Sequence, residues 1–182
     1  MPHHTRANNE ILSLPSRKDI IAVAESLVGY PSKHYESGRP EKGQSRDGFD
    51  CSGFVRYVLK EVGFHIPSFI GMDGAVRAIR HTNEFWDHYG VLTHEPVPGD
   101  LIFFSRLGTF PSHIGFYANP EQYIHAPGIT DSVVALSSIR RTLIRRRNNS
   151  GRQLYRTNPI GFKTPTLPAG QPTLRYHQEI AE

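Results

Sequence analysis

Cys51 is the only cysteine of this 182-residue chain, and it stands in Phe49-Asp50-Cys51-Ser52-Gly53-Phe54, where a polar loop gives way to an amphipathic run. A thiol at a helix start is readily made nucleophilic. Unpaired N–H groups and the positive end of the helix dipole favour the thiolate, drawing a free pKa of about 8.5 down by one to several units. A thiolate that attacks a carbonyl also needs a base to hold and return a proton, and a third group to fix the tautomer of that base. His113 and His125 can fill those two places in that order. Taken singly, each residue has an ordinary reading: a small buried hydrophobe for Cys51, and strand-end histidines, two of ten in the chain, for the others.

The histidines lie in Ser112 to Ala126, where the turn signal Asn119-Pro120 separates two alternating runs. If Ala118 pairs with Gln122 around a short loop, Tyr117 faces Tyr123, Gly115 faces His125, and His113 sits one diagonal step from His125 on the same sheet face. Diagonal neighbours are about 7 to 8 Å apart at the backbone, a gap two imidazoles can close. Gly115 leaves room for the ring, and Ile114, Phe116, Ile124 and Ala126 form an apolar set on the other face. A four-residue loop without a bulge would turn the histidines to opposite faces.

The elements around them follow from capping and periodicity. Ser16 with Asp19 has the spacing of a capping box, Ile20, Ile21, Ala24, Leu27 and Val28 share a helical face, and Gly29 supplies the stop. Tyr30 to Gly48 reads as a long surface loop. The second helix starts at Asp50, carries Phe54, Val55, Val58, Leu59 and Val62 on one side, and ends at Gly63. A third helix is expected over about Phe69 to Arg80. Strands follow at Leu101 to Phe104, His113 to Tyr117, Tyr123 to Ala126, Val133 to Leu136 and Leu154 to Phe162, the last interrupted by Pro159. Helices first and an antiparallel sheet afterwards is an α+β pattern. Residues 1–15 read as a lead-in, 16–163 as the catalytic domain and 164–182 as an irregular tail.

Composition bounds the function classes. The 37% hydrophobic and 21% charged content suits a soluble enzyme, and no apolar run approaches the roughly 18 residues of a membrane span. One cysteine makes no internal disulfide. The first ten residues carry no apolar core of a secretory signal, so the expected location is the cytoplasm, or export by a specialised secretion system or phage particle. The net charge of +4 is compatible with an anionic partner without naming one.

Four stretches in order resemble the NlpC family of papain-like cell-wall cysteine peptidases: Asp50-Cys51-Ser52-Gly53-Phe54-Val55, Pro98-Gly99-Asp100-Leu101-Ile102-Phe103-Phe104, His113-Ile114-Gly115-Phe116-Tyr117 and Tyr123-Ile124-His125-Ala126. The resemblance implies a papain-like fold with an antiparallel sheet packed on the helix that starts at the nucleophile. It further implies Cys51 as nucleophile, His113 as base, His125 as the residue orienting it, and no cofactor. Family members commonly cleave the bond from D-glutamate to a diamino acid in peptidoglycan stem peptides. The acid and serine flanking the nucleophile help hold the free amine of the substrate, which makes Asp50 and Ser52 candidates; a helix cap is an equal role for Asp50. The loop Gly29-Tyr30-Pro31-Ser32-Lys33-His34-Tyr35 departs from the family in lacking its Trp-Gly-Gly, and Tyr35, or else Tyr30, is the candidate for its substrate-site tyrosine.

The run Arg140, Arg141, Arg145, Arg146 and Arg147 could grip an anionic polymer but lacks the aromatic interleaving of single-strand binders, so a solvated edge is the favoured reading and no specific nucleic acid is expected. No metal-ligand pattern is complete around His81, His88 and His94. The leading expectation is a peptidoglycan endopeptidase or amidase, with an effector toxin, served by an immunity or delivery protein, as one setting. Acyl transfer on the same scaffold and a non-enzymatic basic binding module are the alternatives.

Overall fold

The computed structural model describes residues 14–34, 39, 41–105, 110–129, 131–139, 146–148, 151–153 and 159–167. Helix α1 (Arg17–Ser26) begins at a reciprocal cap: the Ser16 hydroxyl accepts from the Asp19 N–H, and the Asp19 carboxylate accepts from the Ser16 N–H at 2.9 Å. Ile20, Ala24 and Leu27 are buried, whereas Val28 is half-exposed just beyond the helix. The segment expected as a loop contains three two-residue strands, β1 (Pro31–Ser32), β2 (Gln44–Ser45) and β3 (Gly48–Phe49), too short for any alternation to register in the sequence.

Helix α2 (Cys51–Val62) has the expected bounds. The Asp50 carboxylate accepts from the Gly53 N–H at 2.8 Å, and Gly63 closes the far end at φ +91°, a left-handed conformation that glycine adopts without a Cβ penalty. Phe54, Val55, Val58 and Leu59 are fully buried. This face forms the core that α1 and the main sheet share.

The helix expected over Phe69 to Arg80 is absent. That stretch is a hairpin of β4 (Ser68–Ile70) and β5 (Val76–Ala78), paired Ser68 with Ala78 and Ile70 with Val76. Gly74 at φ +77° and the Asp73 carboxylate, which accepts from the Ala75 N–H and binds Arg77, make a turn where a helix would have had to carry two glycines. A helix does follow, α3 (Thr82–His88), with the Glu84 carboxylate accepting from the N–H groups of Arg80 and His81.

The remaining strands are β6 (Val91–Thr93), β7 (Leu101–Ser105), β8 (Pro111–Asn119), β9 (Gln122–His125), β10 (Ser132–Val133), β11 (Ala135–Ser138), β12 (Arg146–Asn148), β13 (Gly151–Gln153) and β14 (Pro159–Thr164). Six of them form an antiparallel sheet in the order β11-β9-β8-β7-β14-β6. The short strands β10, β1, β3 and β2 make a second sheet. The fold class is therefore α+β, as the order of helices and strands predicts. The expected fifth strand is present from Pro159 onward; residues 154–158 lie outside the described residues, as do 1–13 and 168–182. Thr164 still belongs to β14, and Leu167 packs against the core. Arg146 and Arg147 lie on β12, while Arg140, Arg141 and Arg145 are outside the described residues.

The hairpin of β8 and β9 sets the register that matters. Tyr117 pairs with Tyr123 as expected, but Asn119, not Ala118, pairs with Gln122, so Ala118 is an extra, bulged residue. The bulge and the tighter turn offset each other. Ile114, Phe116, Ile124 and Ala126 face the core beside α2, and Tyr117 and Tyr123 belong to a second cluster with Ile102, Phe104 and Ile139.

Candidate active site

Because the register is preserved, His113 and His125 share a face and meet. The Nε2 of His113 lies 2.7 Å from the Nδ1 of His125, the ring planes at 88°. The His125 ring stacks on Tyr123, and Phe104 flanks His113. Gly115 makes this possible: a Cβ there would stand 2.6 Å from the Ile124 carbonyl oxygen and 3.0 Å from the Cβ of His125. Beyond His125, its Nε2 lies 2.9 Å from the Ser137 hydroxyl on β11. Ser137 lies one residue past the expected strand end at Leu136, since β11 continues to Ser138.

Cys51 is partly exposed, the first residue of α2. Its sulfur lies 3.6 Å from the Thr82 hydroxyl at the start of α3. It also receives the backbone N–H of Ile114, the residue next to His113, which brings the thiol to the strand that carries the imidazole. Atoms crowd the sulfur closely enough that burial pushes the thiol pKa up, and the negative charge of Asp50 adds to this; the Thr82 hydroxyl and the N–H groups of Ile114 and Ser52 pull the other way. The net direction is upward, opposite to the fall expected from the helix start. The dipole argument holds for a solvated helix end, and here desolvation of the charged form outweighs it.

The imidazoles are pushed in the complementary direction. Burial lowers His113 from its ordinary 6.5 to about 4. Burial, with repulsion from His113, also holds His125 well below its usual range. Thiol and imidazoles are thus all neutral at rest near pH 7, so a sulfur that attacked a carbonyl would have to lose its proton in doing so. With its Nε2 engaged by His125, His113 has Nδ1 as its remaining ring nitrogen.

Asp50 and Ser52 are held from behind by Arg80, the last residue of the expected but absent third helix. Arg80 donates to Asp50 Oδ1 at 3.0 Å, to Ser52 Oγ at 3.0 Å, to the Lys42 carbonyl at 2.7 Å and to Asp50 Oδ2. Both carboxylate oxygens are therefore in use, Oδ1 also capping α2. Asp50 is 2% and Arg80 6% exposed, so this is a buried ion pair whose members depend on each other. A substrate ammonium at Asp50 would have to compete with the guanidinium. Tyr35 lies outside the described residues; Tyr30 packs on the core beneath the Arg46 guanidinium, 5.7 Å from its ring centre. Among the described residues no group of three or more His, Cys, Asp or Glu is gathered to hold a metal ion, and no helix is long and apolar enough to cross a membrane.

This geometry can be set beside known proteins. The family model described as the NlpC/P60 family matches residues 33–153, well over half of the chain and inclusive of Cys51, His113 and His125. The chain belongs to the NlpC/P60 family. Its NlpC/P60 relatives include the probable peptidoglycan endopeptidase LytE of Bacillus subtilis, 32% identical over 59% of this chain and 26% of that protein. The peptidoglycan endopeptidase RipB of Mycobacterium tuberculosis is 35% identical over 59% of this chain and 37% of its own length. The chain thus spans about a quarter to a third of these two relatives. Among solved structures, the NlpC/p60 domain of the peptidoglycan hydrolase SagA superposes with a TM-score of 0.52 at 24% identity, covering 82% of this chain and 98% of that one. An NlpC/P60 family protein from Bacillus cereus superposes with a TM-score of 0.57 at 24% identity, covering 84% of this chain and 41% of that one. The fold is the NlpC/P60 papain-like fold.

Proposed function

We propose that this NlpC/P60 chain is a cysteine endopeptidase or amidase that hydrolyses amide bonds in peptidoglycan stem peptides, of the type joining D-glutamate to a diamino acid. The observation that carries the reading is the direct contact between His125 and His113, the latter on the strand whose Ile114 backbone N–H lowers the pKa of the Cys51 thiol. The relatives' names support the substrate class. Their bond types differ, since one is a gamma-DL-glutamyl hydrolase of Bacillus subtilis and another a murein DD-endopeptidase of Escherichia coli.

In this mechanism the Cys51 sulfur attacks the scissile carbonyl carbon while His113 Nδ1 takes the thiol proton, which avoids creating a lone thiolate in a desolvated site. The oxyanion lies at the start of α2, where the backbone N–H of Cys51 is available. His113, now cationic, is stabilised by donating Nε2–H to His125. Collapse of the adduct passes the Nδ1 proton to the departing amine and leaves a thioester on Cys51. Water then attacks the thioester as His113 takes its proton, and the thiol is regenerated on release of the acid.

The test is incubation of the protein with purified muropeptides of known stem sequence, followed by mass spectrometry of the fragments. A cut after D-glutamate, releasing a peptide with a free amine on the diamino acid, is the expected product. Cleavage at another bond only would overturn the specificity, and no cleavage of muropeptides or intact peptidoglycan would overturn the substrate class.

A further inference from the structure

His113 and His125 share one hydrogen bond between two neutral rings, and such a pair has two proton arrangements. In the first, His113 donates Nε2–H to His125 Nδ1, His125 carries its own proton on Nε2, and His113 Nδ1 is bare. In the second, His125 donates Nδ1–H to His113 Nε2, and His113 carries its proton on Nδ1. Only the first offers a lone pair where the thiol proton must go. The contact between the rings, by itself, is compatible with both.

The Ser137 hydroxyl at the far nitrogen of His125 can serve either arrangement, accepting in the first and donating in the second, so the direction of that bond selects between them. In the first arrangement His125 Nε2 is a donor and needs an acceptor; the Ser137 oxygen lies 2.9 Å away. Ser137 sits on β11 opposite Tyr123, one diagonal step from His125, whose own partner is Ala135. The His125 ring leans along the sheet over Tyr123, its ring centre 4.5 Å from that of the tyrosine, which carries Nε2 toward that diagonal position. Ser137 is half-exposed, so its hydroxyl proton can point to water while its oxygen accepts.

We propose that Ser137 is a positioning residue: by accepting the Nε2 proton of His125 it keeps His125 Nδ1 bare, and so keeps His113 in the form that can take the Cys51 proton. The inference rests on the reading of Cys51 as nucleophile and His113 as base. It adds a fourth member to the chain of groups, acting on the chemistry only through the two imidazoles.

The test uses a soluble muropeptide that the wild-type protein cleaves, with Ser137→Ala, Ser137→Thr, His125→Ala, the double variant and Cys51→Ala. Ser137→Ala is expected to lower kcat by about tenfold, because the wrong tautomer becomes populated, with KM within about twofold. Ser137→Thr, which keeps an oxygen in place on a strand, recovers most of that loss. Adding Ser137→Ala to His125→Ala costs nothing further, since the group it orients is gone. Independently of activity, nitrogen NMR of 15N-histidine-labelled protein should find His125 protonated at Nε2 and His113 bare at Nδ1. A full kcat in Ser137→Ala, a loss that repeats in the His125→Ala background, or a proton on His125 Nδ1 would each overturn the role of Ser137 while Cys51→Ala stays inactive. Retained activity in Cys51→Ala would instead remove the underlying reading, and this inference with it.

Discussion

The Nε2 of His113 and the Nδ1 of His125 are 2.7 Å apart, and that contact consumes one of the two ring nitrogens of His113, leaving Nδ1 as the atom the proposed mechanism uses. His125→Ala should therefore leave His113 able to rotate and to exchange tautomers. A fall in kcat of about ten- to a hundredfold is expected with little change in KM, and His125→Asn should recover part of it by offering an amide oxygen to Nε2–H. Steady-state kinetics on a cleavable muropeptide checks this; equal losses in the two variants would contradict it.

Burying two neutral imidazoles makes stability depend on pH. In the unfolded chain a histidine takes up a proton near pH 6.5, whereas folded His113 does so only near pH 4, so between these values the unfolded state binds more protons and stability rises with pH. The contribution is present above pH 6.5 and is lost as the pH falls toward 4, to the extent of about 3 kcal/mol for His113 at 1.36 kcal/mol per pKa unit. His125, shifted in the same direction, adds to it. Urea denaturation across this window should give a steeper loss for wild type than for His113→Gln.

Arg80 neutralises the Asp50 carboxylate, which is almost fully enclosed beside Cys51. Arg80→Met strands that charge and should cost about 3 to 5 kcal/mol of stability. Adding Asp50→Asn should recover much of it, because an asparagine still caps α2 and no buried charge remains. Equal stability of the single and double variants by urea denaturation would contradict the pairing.

The Thr82 hydroxyl lies 3.6 Å from the Cys51 sulfur, and this contact lowers the thiol pKa against the larger upward push of burial. Thr82→Val keeps the shape and removes the donor. The thiolate fraction at neutral pH should then drop, slowing iodoacetamide alkylation of Cys51 at pH 7 to 8 by about three- to tenfold. An unchanged alkylation rate would mean that the hydroxyl does not face the thiolate.

The parts of this fold visible in the sequence are those fixed by local rules. Helices α1 and α2 each carry a side-chain cap and a periodic apolar face, and Gly63 stops α2 as expected, whereas α1 ends at Ser26 with Leu27 as its C-cap, short of the expected stop at Gly29. The shared face of the two histidines was also readable, because alternation survives the bulge at Ala118. The failures have the opposite character. Gly71, Asp73 and Gly74 favour a turn by local hydrogen bonding, which the apolar periodicity around them concealed. Arg80 reaches Asp50 across 30 residues and Thr82 reaches Cys51 across 31, and no pattern within either segment announces such a partner. The thiol shift runs opposite to the helix-start expectation because the dipole of α2 is a local property, whereas desolvation of the sulfur depends on everything packed around it.

The proposed mechanism requires the Cys51 sulfur to form and then lose a bond to the substrate carbonyl. Its most direct test is digestion of purified peptidoglycan by wild-type protein and Cys51→Ala, matched for folding by circular dichroism, with released amines and fragment masses measured over time. Wild type should release stem-peptide fragments, and Cys51→Ala should release at least about a thousandfold less. Fragment release by Cys51→Ala within a few-fold of wild type would contradict nucleophilic catalysis by this sulfur.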